Sequence, residues 1–205
     1  MLTALATGVL LGFSAGISPG PMLALVLAQT LRHGSREGCK IALTPLATDP
    51  PIILVTLLLA SKLAQWHSVL GVFSIAGAAF VLFLAWESFR PARESAEAPP
   101  EPPRSWFKGI VTNLLNPHPW VFWLTVGAAM LAKTLTQGWA AAAAFLGGFY
   151  VLLVGSKVVV ALLAGRSRHL LTGRPYPMLM RALAVMLALF AVLLFREGLK
   201  HLGLI

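Results

Sequence analysis

The chain has 205 residues, of which 58% are hydrophobic and only 11% charged, and its mean hydropathy is +0.81. A soluble domain of this size must keep its surface wetted and has no use for so much apolar residue, so the composition describes an integral membrane protein. The net charge of +9 does not argue for nucleic acid, since the basic residues cluster between hydrophobic runs with no interleaved aromatic stripe; the lone Cys39 excludes an intramolecular disulfide, a Cys-rich metal site and a dithiol shuttle.

A bilayer core of about 30 Å takes about 20 apolar residues per helix. Six stretches qualify, roughly Leu2–Thr30, Ile41–Ala64, Val69–Phe89, Phe107–Leu131, Trp139–Ala164 and Met178–Phe195. The first has no Lys or Arg before Arg32 and is too long for the apolar region of a cleavable signal peptide, so it is expected to remain as a span. Its Gly8, Gly12, Gly16 and Gly20 form an i,i+4 stripe that lets another backbone approach closely. The stripe runs into Ser18-Pro19-Gly20-Pro21, where a residue type favoured at helix N-caps precedes a proline. A helix is expected to stop there and restart inside the apolar run.

The second stretch carries the same signal at Asp49-Pro50-Pro51. Asp49 is the only acidic residue well inside a predicted span, at an insertion cost of about 2.5–3.5 kcal/mol. It reads as a cap for a helix restarting at Pro50, as a carboxylate for substrate or proton, or as both. The connection from Arg90 to Ser105 holds Pro91, Pro99, Pro100, Pro102 and Pro103 among Glu94, Glu97 and Glu101. That composition cannot bury itself and reads as a flexible linker. It divides the chain into a three-helix unit at 1–89, a cytoplasmic linker at 90–105 and a second three-helix unit at 106–205.

The fourth stretch repeats the break at Asn116-Pro117-His118-Pro119. Asn113 and Asn116 supply uncharged donors and acceptors there, or simply bond neighbouring helices. His118 is either a proton carrier or a plain hydrogen-bonding residue. Trp120 and Trp123, just past this break, face lipid or pack, or else line a path, the first reading being favoured. In the fifth stretch Lys157 is the only base well inside a span. It lies at a depth similar to that of Asp49, so it either pairs with that carboxylate or snorkels to the headgroups. Ala140 to Ala144, Gly147, Gly148 and Gly155 give this helix a close-packing surface of its own. Trp66, Trp86, Trp106 and Trp139 lie near span ends as interfacial anchors.

Broken apolar helices in matching positions of two halves mark a transport site. Ser18, Pro19 and Pro21 align with Asn116, Pro117 and Pro119 at an offset of 98 residues. An odd number of helices per copy inserts the second copy upside down. The expected fold is therefore an all-α membrane protein of six transmembrane helices, an inverted 3+3 repeat with helices 1, 2 and 4 broken. Arg32, Arg36, Lys40, Arg90, Arg93, Arg104, Lys108, Arg166, Arg168, Arg174 and Arg181 flank the odd connections, against Lys62, Lys133, Arg196 and Lys200 on the other side. The positive-inside rule puts the odd connections in the cytoplasm and both termini outside.

At these residues the chain resembles the LysE-type amino-acid exporters, a family that includes lysine and homoserine/threonine efflux proteins. Ile17-Ser18-Pro19-Gly20-Pro21 is similar to that family's proline-glycine-proline signature, Arg32-His33-Gly34-Ser35-Arg36-Glu37-Gly38 to its basic first loop, and Asn113-Leu114-Leu115-Asn116-Pro117 to its Asn-Pro motif. Asp49 falls where the family carries an Asp. Met22 after the second proline, Thr48 before the Asp and Pro50-Pro51 after it depart from the family pattern. The resemblance implies a homodimer in a prokaryotic cytoplasmic membrane that exports a small metabolite on the proton gradient, with no cofactor and no enzymatic activity. Substrate is expected at Ser18, Pro19, Gly20, Pro21, Asp49, Asn113, Asn116 and Pro117, its carboxylate at the helix ends restarted at Pro19 and Pro117. Asp49 and Lys157 are the expected coupling residues. The competing reading is an exporter of metal or other small ions, with Asp49 and His118 as ligands.

Overall fold

The computed structural model describes residues 1–59, 66–89, 102–167 and 175–204. Among them every regular element is helical. In chain order these are α1 (Leu2–Ile17), α2 (Pro21–His33), α3 (Ser35–Leu43), α4 (Pro45–Leu59), α5 (Trp66–Phe89), α6 (Ser105–Leu115) and α7 (Pro117–Phe122). A π-helical turn at Trp123–Gly127 follows, then α8 (Ala128–Thr136), α9 (Trp139–Arg166) and α10 (Pro175–His201). The expected linker from Arg90 falls almost wholly outside the described residues; α6 begins at its far end, Ser105.

Ser35–Leu58, Trp139–Arg166 and Met180–His201 are long and apolar enough to cross a membrane, and α1 with α2 adds a fourth span bent by 62°. The bend lies at Ser18–Gly20 as expected, but the restart is two residues later than expected. Gly20, not Ser18, is the N-cap, and Pro21 is the first helical residue. The cause is local. A residue preceding proline is pushed out of the helical region, and both Ser18 (ψ 126) and Gly20 (ψ 178) are extended. Asn116, before Pro117, obeys the same rule with ψ 123, and its side chain accepts a hydrogen bond from the His118 N–H at 3.1 Å. The second break is therefore the capped restart that the sequence describes.

The expected break at Asp49 is not there. Helix α4 runs from Pro45 through Asp49, Pro50 and Pro51 without stopping, so Asp49 is no N-cap. The interruption in this span sits at Thr44, before Pro45. Pro45 cannot donate to the Ile41 carbonyl; the Thr44 N–H (3.1 Å) and Oγ1 (2.7 Å) donate there instead. That substitution keeps Thr44 helical, and α3 and α4 continue as one span. The expected loop around Arg32–Lys40 is also shorter than the charge pattern suggests. Only Gly34 separates α2 from α3, and its φ of 98° lies where glycine alone sits without strain.

The glycine stripe packs as expected. Gly8, Gly12 and Gly16 are buried along α9, and a Cβ on Gly8 or Gly12 would collide with the backbone of Phe145 or Phe149. Gly148 faces Leu5 and Val9 in return, whereas Gly20, Gly147 and Gly155 have no neighbour that a Cβ would touch. Helix α5 lies similarly along α10. One apolar core joins Leu25, Ile41, Val81, Leu84 and Leu187 from α2, α3, α5 and α10. Another gathers Ile52, Trp120, Trp123, Phe149 and Leu153 around the helix breaks.

Candidate functional site

Each proline at a break removes one N–H, so the carbonyl four residues earlier loses its helical partner. Pro19 orphans Ala15, Pro21 orphans Ile17, Pro117 orphans Asn113 and Pro119 orphans Leu115. Polar side chains converge on this region. Lys157 Nζ donates to the Ala15 carbonyl at 3.2 Å. The Leu114 carbonyl, freed because the His118 N–H turns to Asn116, accepts from the Trp120 indole at 2.8 Å.

Between the breaks lies a cavity of about 310 Å³. Ser18, Pro19, Gly20 and Pro21 line it from the first break, Asn113, Asn116 and His118 from the second, Asp49 from α4 and Lys157 from α9. Pro117 is buried and does not line it. Ser18, Pro19 and His118 are exposed, while Asp49 is only 3% and Lys157 only 4% exposed. Apart from Pro117, the structure thus gathers in one place the residues that the sequence nominates from four separate segments.

Asp49 is held from two sides. Asn113 Nδ2 donates to Asp49 Oδ1 at 3.0 Å and to Thr48 Oγ1 at 2.6 Å. Thr48 Oγ1 donates in turn to the Thr44 carbonyl at 3.0 Å, locking its rotamer. Tyr150 Oη lies 3.5 Å from Asp49 Oδ2, at the limit of a hydrogen bond. Asp49 and Lys157 make no ion pair with each other within 4.0 Å, and Lys157 does not snorkel outward; both face the cavity. His118 lines the cavity at its exposed edge, with Nε2 4.0 Å from Glu197 Oε2 on α10 and the side chain 68% exposed.

Two of these residues, Thr48 and Tyr150, carry no motif. Tyr150 had one readable signal: it precedes Lys157 by two helical turns and so shares its face of α9. Trp120 and Trp123 pack, at 8% and 1% exposed, within the favoured reading, and Trp123 also lines the cavity. The π-helical turn starts at this residue, and Gly127 leaves room for its indole, since a Cβ there would strike the ring. Insertions of this kind re-aim side chains and cluster at functional sites.

The two helix ends are unequal as anion sites. In α7, Pro117 and Pro119 have no N–H and the His118 N–H is spent on Asn116, so the expected carboxylate site at Pro117 has no free donor in its first turn. In α2 the Met22 and Leu23 N–H groups fall in the first turn, no side chain caps them, and both residues line the cavity. That end keeps its donors and its partial positive charge.

The family model for LysE type translocators matches residues 13–198, from just before the first break to the last helix. The chain belongs to the LysE-type translocator family. No curated protein and no solved structure matches it. As a LysE-type translocator it is a multi-pass membrane protein that moves small molecules, and not an enzyme. In this translocator the breaks, the buried acid and the buried base share a single cavity.

Proposed function

We propose that the chain exports a zwitterionic amino acid or close derivative from the cytoplasm, by proton-coupled alternating access. One observation carries this reading: a buried carboxylate and a buried ammonium, Asp49 and Lys157, face one cavity without pairing to each other. An unpaired buried charge is costly, and a ligand with the complementary pair of charges relieves both. The substrate carboxylate meets the Met22 and Leu23 N–H groups and Lys157, and its ammonium group meets Asp49. When the site is empty, Asp49 takes the coupling proton.

The remaining wall is apolar. Met22, Leu23, Phe122, Trp123, Phe149 and Leu153 line the cavity, and Asp49 is the only acid among its lining residues. Such a wall suits an apolar side chain and offers a dibasic substrate no second carboxylate. Packing supports the inverted repeat: α1 lies on α9, the second span lies on α6 to α8, and α5 lies on α10. Equating spans one, two and three with four, five and six maps these contacts onto one another. With the basic connections inside, both termini face outward, and the homodimer implied by the family resemblance completes the proposal. As for metal ions, among the described residues no group of three His, Cys, Asp or Glu side chains gathers.

The test is efflux from preloaded cells and counterflow in vesicles containing the protein, run with leucine, phenylalanine, serine and lysine. Export of apolar amino acids supports the reading. Failure of all amino acids, or metal tolerance conferred by the chain, overturns it.

A further inference from the structure

A second polar assembly lies at the opposite ends of α2 and α6 from the cavity. Lys108 on α6 donates to Glu87 Oε1 on α5 at 2.6 Å, and Arg32 Nη1 on α2 lies 3.7 Å from the same oxygen. The Lys108 side chain is 8% exposed, Arg32 15% and Glu87 22%, so the cluster is largely shielded and not a surface pair. Next to it on α3, Lys40 pairs with Glu37 at 2.6 Å.

Between this cluster and the cavity, the packed helices carry polar residues where apolar ones would pack better. On α6 they run Ser105, Lys108, Thr112, Asn113, at helical spacing along one face; on α2, Gln29 and Thr30; on the span formed by α3 and α4, Thr44 and Thr48. Thr30 abuts Gly38 of α3, and Thr44 abuts Gly109 of α6. Four of these groups, Gln29 Oε1, Thr30 Oγ1, Ser105 Oγ and Thr112 Oγ1, are buried without a hydrogen-bond partner. A buried polar atom left unpaired is destabilising. Among the described residues such unpaired side-chain atoms are confined to α2, α3 and α6, the pattern expected of a surface that becomes wet in another state.

We propose that this seam between α2, α3 and α6 is the closed cytoplasmic route to the cavity, and that the Arg32–Glu87–Lys108 cluster is its lock. The proposal rests on the carrier reading. Opening separates α2 and α3 from α6, lets water reach Gln29, Thr30 and Thr112, and parts Lys108 from Glu87. The seam ends at Asn113, whose amide holds Asp49, so an opened route leads straight to the buried carboxylate.

The experiment measures thiol access and needs no substrate, so it can fail while amino-acid transport succeeds, and the reverse. With Cys39→Ser removing the native thiol, Thr30→Cys, Thr112→Cys and Ser167→Cys are made singly. Inside-out vesicles are treated with a charged, membrane-impermeant methanethiosulfonate. Thr30→Cys and Thr112→Cys should label slowly with the cluster intact and at least about tenfold faster with Glu87→Gln or Lys108→Met, the shift expected when a closed state loses its stabilising pair. Lys108→Arg keeps the charge and should keep the slow rate. Ser167, exposed at the basic end of α9, should label fast in every background. If a cluster variant also alters labelling at position 167, the milder Glu87→Asp must give the same selective rise. Rates equally slow in every background, or already fast with the cluster intact, overturn the proposal.

Discussion

Lys157 Nζ lies 3.2 Å from the carbonyl oxygen of Ala15, a group that would have bonded to residue 19 had that residue not been proline. Helix α9 thus repairs α1, with a side chain that also faces the cavity. Lys157→Met should reduce export at least about tenfold and also leave the Ala15 carbonyl without a partner, at a cost of about 1–3 kcal/mol. Thermal unfolding in detergent checks the second effect. Lys157→Arg should restore stability more fully than export, because the larger planar fork alters the cavity.

Asp49 gives a pH signature. If it carries the coupling proton, Asp49→Asn removes the group that titrates, and export should fall at least about tenfold and become flat with pH. Asp49→Ala should behave alike. Normal rates with a normal pH profile in both variants would deny Asp49 a coupling role. Tyr150→Phe deletes only the weaker contact at 3.5 Å and should lower export by about threefold, within the net worth of one hydrogen bond.

At Gly12 the neighbouring atoms are backbone of Phe149, which cannot rotate away. Gly12→Ala should therefore force α1 off α9 and destabilise the protein by about 1–3 kcal/mol. Gly147→Ala, on the same helix pair but facing open space, should leave stability unchanged. Comparing the two melting temperatures tests the packing face directly.

Asn116 caps α7 through its side chain. Asn116→Ala should cost about 1 kcal/mol and Asn116→Asp much less, because the aspartate oxygen can accept the same N–H. A large loss of export in the aspartate variant with unchanged stability would instead place Asn116 in direct contact with substrate.

The sequence showed the fold wherever backbone chemistry is local. Proline at 19, 21 and 117 fixes the conformation of the residue before it, and so both breaks stand where the motifs lie. The same argument failed at Asp49 because the helical conformation before proline is disfavoured, not forbidden. Packing on α6 and α7 holds α4 helical through Pro50 and Pro51. The site's charged members were legible because an acid or base in an apolar run needs a reason to be there. Thr48, Tyr150 and the inward turn of Trp123 were not, since hydroxyl and aromatic residues are unremarkable in a span until the partner across the cavity is known. The polar seam is invisible in one dimension for a related reason: its threonines belong to three different helices.

Prolines at the two breaks have a mechanical consequence. A segment interrupted by glycine alone could wind up into a straight rod during the working cycle and unwind again. Pro19, Pro21, Pro117 and Pro119 work against this, because each missing N–H denies a straightened helix one rung of its ladder in every state. The elbows between α1 and α2 and between α6 and α7 therefore tend to persist through the cycle. The bent first span then moves as one arm, with Gly34, between α2 and α3, as its hinge.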